Sequence, residues 1–173
     1  MTARVLVAGV GNIFLNDDGF GVEVVRRLAA ETLPDWVDVA DYGIRGMHLA
    51  YDVTSRGDGL ETMILVDAMA RGEKPGTVSV LEVDPERPAD YVLPSSPIDA
   101  HGMQPDVVLD LITLLGGKAG RVLVVGCEPA ELEPEIGLTP AVAAAVPGAV
   151  EAVKGLIREH DGSDRRLNAG SEV

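Results

Sequence analysis

Hydrophobic and polar positions alternate along this chain in short blocks whose period switches between that of a buried strand and that of a helix. Residues 4–11, RVLVAGVG, form a β-branched run without polar alternation, which is typical of a strand buried on both faces of a parallel sheet. From Asp18 to Leu33 apolar residues recur at helical spacing, and Pro34 ends the segment. The chain therefore begins with a strand-helix unit, and this first strand is predicted to be the central one.

The same alternation continues to residue 157. Further strands are predicted at 36–41, 62–67 and 121–126, and helices around 47–54, at 103–115 and from Thr139-Pro140 to Ile157. A strand over 76–83 follows the third strand too closely for a parallel crossover, so it should be antiparallel. The pattern predicts an α/β protein with a three-layer α/β/α fold and a mixed, mostly parallel sheet.

Length and local composition set the expected domain organisation. A chain of 173 residues is close to the size of one domain, so residues 1–160 are expected to form a single domain. Residues 161–173 are polar and are predicted to be a disordered tail. Residues 84–102 are rich in proline and lack periodicity, and a loop of this length in a compact domain is usually functional.

Charge excludes some partners. The chain has 28 Asp and Glu against 14 Lys and Arg, a net charge of −14, so a phosphate backbone or an anionic membrane would repel it. Neither nucleic acid nor a membrane is therefore an expected partner. No apolar run approaches the roughly 18 residues of a spanning helix, and no signal peptide is evident at the start. With the single cysteine, Cys127, this predicts a cytoplasmic protein.

Candidate chemistry gathers where predicted strands end. Asp17 and Asp18 follow the first strand, Asp67 ends the third, and His101 precedes a helix. Because ligands of open α/β sheets bind beyond the carboxyl ends of the strands, these groups are expected to meet at one edge. Asp18, Asp67 and His101 would make a mixed oxygen and nitrogen site suited to Zn, Ni or Fe.

Each polar residue also has a purely structural interpretation. Asp17 alone favours a helix N-cap, and Cys127, after a buried strand, favours a small buried hydrophobe. His48 is expected to be a surface or packing residue, and His160 is expected to be exposed to solvent. Arg45, in a glycine-rich turn, is either solvated or a contact for an anionic partner.

A nucleotide-binding domain is a competing interpretation of the first strand and its glycines. Gly9-Val10-Gly11 begins a dinucleotide fingerprint, but the third glycine would fall on Phe14. The carboxylates that follow would also repel a pyrophosphate. The fingerprint therefore fails.

Several segments together resemble the hydrogenase maturation endopeptidases, which process the large subunit of nickel-iron hydrogenases. The first and the last of them are specific, and the others are specific only in combination. They are residues 7–12 (VAGVGN) with 15–22 (LNDDGFGV), 46–47 (GM), 64–68 (ILVDA), 101–102 (HG) and 131–140 (ELEPEIGLTP).

This resemblance implies a five-stranded mixed sheet and a metal site at Asp18, Asp67 and His101. It implies an endopeptidase that removes the C-terminal extension of the large-subunit precursor once nickel has been inserted, the nickel being supplied by that precursor. The metal would polarise the scissile carbonyl or lower the pKa of a bound water; a recognition-only metal with a carboxylate base is the alternative.

The sequence also departs from the family pattern near the expected crevice. Many relatives have Asp-Gly-Gly-Thr where this chain has residues 41–44, DYGI, and some have Glu where it has His48. These departures bear on which hydrogenase is the partner. A nickel chaperone or docking factor that binds the large subunit without cutting it is the non-enzymatic alternative.

Overall fold

The structure, a computed structural model, describes residues 3–85 and 105–169, with residues 163–169 described by their backbone alone. Most of the predicted proline-rich loop, and His101 with it, lies outside the described residues. The strands are β1 (Val5–Val10), β2 (Val37–Gly43), β3 (Thr62–Ala68), β4 (Val78–Val83) and β5 (Arg121–Cys127). The helices are α1 (Phe20–Ala29), α2 (Gly46–Arg56), α3 (Pro105–Leu114) and α4 (Pro140–Ala169), with short 3-10 turns at Asn16–Gly19 and Gly57–Gly59.

The strands form one five-stranded sheet in the order β2-β1-β3-β5-β4. The β1–β2, β1–β3 and β3–β5 pairs are parallel, whereas β4 pairs antiparallel with β5, as the short connection before it predicted. The prediction that β1 is the central strand was wrong, since β3 occupies the centre of the sheet. Only β2 lies outside β1 on one side, whereas β5 and β4 both lie beyond β3 on the other.

Helices cover both faces of the sheet, which confirms the three-layer α/β/α architecture. On one face α2 and α3 bury Leu49, Val53 and Leu109 against β1, β3 and β5. On the other face α1 and α4 bury side chains such as Phe20 and Val146. Burial on both sides explains why the strand segments show continuous apolar runs instead of alternation.

The last helix is longer than predicted. It extends to Ala169, and so includes residues that the polar pattern assigned to a tail. Over Pro140–Gly162 it is long and apolar enough to cross a membrane by length and composition. Its apolar stripe of Val142, Val146 and Val153 is fully buried in the core.

Candidate active site at the carboxyl edge of the sheet

Two glycines bring the first helix directly onto the sheet. A Cβ atom on Gly21 would lie 2.0 Å from the Val66 carbonyl oxygen and 2.5 Å from that of Val10, so only glycine permits this contact. Gly9, facing it on β1, would clash with Val25 in the same way. The tight contact places the Asn16–Gly19 turn next to the carboxyl ends of β1 and β3.

The backbone just after β1 touches both predicted carboxylates. The N–H of Asn12 donates to Asp18 Oδ2 at 2.7 Å. A Cβ atom on Gly11 would lie 3.6 Å from Asp67 Oδ1, which is van der Waals distance. Asp67 is 9% exposed and Asp18 is half-buried. The two acidic side chains, which come from different elements, thus both lie near the Gly11-Asn12 backbone.

The third predicted ligand, His101, lies outside the described residues. Among the side chains that the structure describes, in residues 3–85 and 105–162, no three His, Cys, Asp or Glu residues are grouped so that they could hold a metal ion. The described part of the chain therefore contributes a carboxylate pair.

Asp17 is not the predicted helix cap. Its side chain makes no cap hydrogen bond to the turn or to α1. It is fully buried and instead accepts the N–H groups of Ala130, Glu131 and Thr139 at 2.7–3.0 Å, together with the Thr139 hydroxyl. The Asp17 carboxylate therefore fastens the Asn16–Gly19 turn to the loop between β5 and α4.

The backbone supports the same attachment. The N–H of Asn16 donates to the Glu135 carbonyl at 2.8 Å, and its side-chain amide donates to the Gly137 carbonyl at 3.2 Å. Asn16 has a φ of 44°, a left-handed conformation that Asn tolerates better than most residues. The two specific motifs, 15–22 and 131–140, thus fold against each other. Sequence reasoning missed this pairing because it joins residues more than 100 positions apart.

Three other polar residues have mainly structural contacts. Arg45 donates to the backbone carbonyls of Tyr42 and Asp41, which closes the turn between β2 and α2. His48 is exposed, as predicted, with its ring centroid 6.2 Å from that of Tyr42. The prediction for His160 was wrong: its side chain is only 12% exposed, with Nε2 3.1 Å from Glu61.

The structure confirms the prediction that Cys127 is a small buried hydrophobic residue. It is fully buried, and burial, reinforced by the negative charges of Asp17 and Glu128, raises the pKa of its thiol to about 11. A thiol with a raised pKa is protonated near neutral pH and is a poor nucleophile. A cysteine-protease mechanism has no support from this residue.

A polar cluster secures α2 to β2 behind the site. The Tyr42 hydroxyl donates to Asp52 Oδ2, and Arg56 donates to Asp52 and to Asp38. Burial, the Asp52 hydrogen bond and the Asp52 charge all raise the pKa of Tyr42. The phenol is therefore a permanent hydrogen-bond donor, not an acid-base group.

Comparison with known proteins identifies the family to which the chain belongs. A family model described as hydrogenase maturation protease matches residues 22–155. The hydrogenase 2 maturation protease of Escherichia coli is 38% identical over 158 residues, covering 90% of this chain and 92% of that protein. A putative hydrogenase maturation protease of Methanocaldococcus jannaschii is 35% identical, covering 90% and 97%.

Comparison with solved structures identifies the same family as comparison of the sequences. The hydrogenase maturating endopeptidase HybD of E. coli superposes with a TM-score of 0.74 at 35% identity, covering 91% of this chain and 93% of that one. The α/β fold, together with these matches, defines an endopeptidase of the maturation type. The chain belongs to the hydrogenase maturation protease family, whose function is endopeptidase processing of the hydrogenase large subunit.

Proposed function

We propose that this protein removes the C-terminal extension of a nickel-loaded hydrogenase large-subunit precursor, and that Asp18, Asp67 and His101 carry the reaction. The observation that carries this proposal is the convergence of Asp18 and Asp67 on Gly11 and Asn12. Two acidic side chains beside the same stretch of backbone would favour a cation there, because like charges close to one another favour a counter-charge. A site built to receive a cation explains the arrangement.

The inclusion of His101 rests on chain connectivity. The turn after α3 packs where β3 begins, since a Cβ atom on Gly120 would lie 2.2 Å from the Glu61 carbonyl oxygen. A Cβ on Gly117, just past α3, would likewise touch Thr54 near the end of α2. Helix α3 therefore ends near the amino edge and begins toward the carboxyl edge. His101 precedes its first residue, Pro105, by four positions, so in this proposal it comes from the segment that leads into α3 at the carboxyl edge.

Two carboxylates and an imidazole suit nickel, which accepts mixed oxygen and nitrogen ligands. In this proposal the nickel arrives as cargo of the precursor, and its charge would polarise the scissile carbonyl or acidify a bound water. Asp18 and Asp67 would orient the loaded precursor, and one carboxylate would take up the proton of the attacking water. The reaction is proposed to occur in the cytoplasm, because a chain with a single cysteine and no disulfide suits a reducing compartment.

The test is to incubate the purified protein with nickel-loaded and nickel-free precursor and to follow the intact mass of each. Shortening of the loaded form alone is expected. Equal cleavage of both forms would contradict nickel gating. No cleavage, combined with tight binding of free nickel ions, would favour the chaperone alternative.

Site variants sharpen this experiment. Asp67→Asn and His101→Ala should each lower the rate at least about 100-fold while the protein still unfolds cooperatively. The matched control is Asp58→Asn, because Asp58 is an exposed carboxylate on the turn before β3. Activity retained in either site variant would remove that residue from the mechanism.

A further inference from the structure

Large apolar side chains are exposed around the proposed site. Phe14 is 60% exposed, Ile44 51%, Met47 56% and Tyr51 68%. Phe14 follows β1, and the other three follow β2, so all four belong to the connections that leave the carboxyl edge. We call these four residues the apolar rim. A large apolar side chain in water has no role in the folded core, and a group of them marks an interaction site.

The apolar rim is continuous with the carboxylate pair. The N–H of Gly11, which lies beside Asp67, donates to the Gly43 carbonyl at 2.9 Å, and Ile44 is the next residue. Met47 and Tyr51 then lie one turn apart on α2, on the side opposite the buried Leu49. A polypeptide that reaches the carboxylates from this side passes over the rim.

The exposed face of α2 is also uncharged. Its exposed positions are Met47, His48, Tyr51 and Ser55, and none carries a carboxylate, although the chain as a whole has a net charge of −14. The exposed side chains of this helix therefore add no negative charge to the rim, and the half-buried Asp52 is paired with Tyr42 and Arg56.

The rim is presented on a firm support. Arg45 clamps the turn before α2 through the carbonyls of Asp41 and Tyr42, and Tyr42 in turn holds Asp52 on the helix. A surface held in this way loses little conformational freedom on binding.

We propose that the apolar rim docks the folded large-subunit precursor through an apolar patch beside its scissile segment. This inference rests on the proposed function and adds the surface that selects the substrate. Four side chains expose on the order of a few hundred Å², well short of the roughly 800 Å² per partner of a stable complex. That area suits a transient enzyme-substrate contact. A permanent second copy seated there would also obstruct the path to the carboxylates.

The experiment measures binding separately from cleavage. In an Asp67→Asn background, which the proposed function makes inactive, the affinity for nickel-loaded precursor is measured by biolayer interferometry. The double substitution Met47→Ser with Tyr51→Ser should raise the Kd by about tenfold or more. The matched control is Leu114→Ser, because Leu114 is 80% exposed at the end of α3, near the opposite edge. It should change the Kd less than about twofold. Thermal unfolding of every variant verifies that the fold is retained.

An unchanged Kd in the double variant, or no binding by the rim-intact protein, would overturn the inference. A dimer of the protein alone that dissociates on the double substitution would overturn it too, since the rim would then cover a second copy. Failure of the proposed function looks different: the chain with Asp67 intact would not shorten the precursor, while the rim substitutions would still weaken binding.

Discussion

Thr139 donates two groups to the Asp17 carboxylate: its backbone N–H at 2.7 Å and its side-chain hydroxyl at 2.9–3.0 Å. Asp17 lies in the turn that carries Asp18, and Thr139 is the residue before α4. The contact therefore joins the first and last family motifs and holds the proposed catalytic carboxylate against a distant part of the chain. Asp17 is a positioning residue in this arrangement, since its own oxygens are occupied by the loop.

Substitution of Asp17 should be costly for stability. Asp17→Asn replaces one acceptor oxygen with an N–H₂ group that faces backbone N–H donors, and it removes charge-assisted hydrogen bonds in a fully buried place. We expect a loss of about 3 kcal/mol in the free energy of unfolding, measured by urea titration. Glu133→Gln, an exposed carboxylate on the same loop, is the control. Thr139→Val should be destabilising where Thr139→Ser is nearly neutral; equal effects would argue against the hydroxyl contact.

The close packing of α1 on the sheet predicts that Gly21 cannot be replaced without a loss of stability. Gly21→Ala should destabilise the protein by about 2 kcal/mol or more and lower activity, because the new methyl group meets two backbone carbonyls at 2.0–2.5 Å. Gly148→Ala, in α4, is the matched control: nothing lies within 4 Å of the position that its methyl group would take, and alanine favours helix by up to about 1 kcal/mol. The melting temperature should fall in Gly21→Ala and rise slightly in Gly148→Ala. Similar shifts in the two variants would contradict the close packing of Gly21.

The Cys127 thiol should be unreactive in the native protein. Because burial raises its pKa from 9.0 to about 11, the thiolate fraction near pH 8 falls about 100-fold, and alkylation by iodoacetamide should be slow until urea unfolds the chain. The folded state retains the thiol proton to higher pH than the unfolded state. Stability should therefore decrease as pH rises from 9 to 11, and Cys127→Ala should lack this component. Fast native alkylation at pH 8 would contradict the assignment.

The polar cluster of Tyr42, Asp52 and Arg56 predicts a contribution to stability that depends on pH in the acid range. Burial alone would raise the pKa of Asp52, but the Tyr42 hydrogen bond and the Arg56 charge outweigh burial and lower it. Its contribution to stability is therefore present above the ordinary pKa of 3.8 and is lost as pH falls below that value. Tyr42→Phe should cost about 1 kcal/mol at neutral pH and less in acid. Titration of Asp52 by NMR should shift upward in the variant; an unshifted pKa would exclude the phenol as its donor.

Much of the fold could be predicted from the sequence because strand and helix periods are local properties. Both faces of β1 and β3 are buried, so their segments are continuously apolar, and the short connection before β4 admits only an antiparallel strand. The candidate carboxylates were proposed for a related reason: Asp67 lies at the end of β3, Asp18 lies in the turn that connects β1 to α1, and parallel strands share one carboxyl edge.

The predictions that failed depend on partners far away in the chain. The sequence pattern around Asp17 is that of a helix cap, and only the folded chain brings it to Thr139, 122 positions away. His160, in a polar stretch, is mostly buried because α4 continues past it and packs the ring beside Trp36. Local periodicity thus determined the elements, their directions and the acidic side chains at the strand ends. The tertiary structure alone decided which motifs meet, because hydrogen-bond partners of buried polar groups are chosen by packing and not by neighbours in sequence.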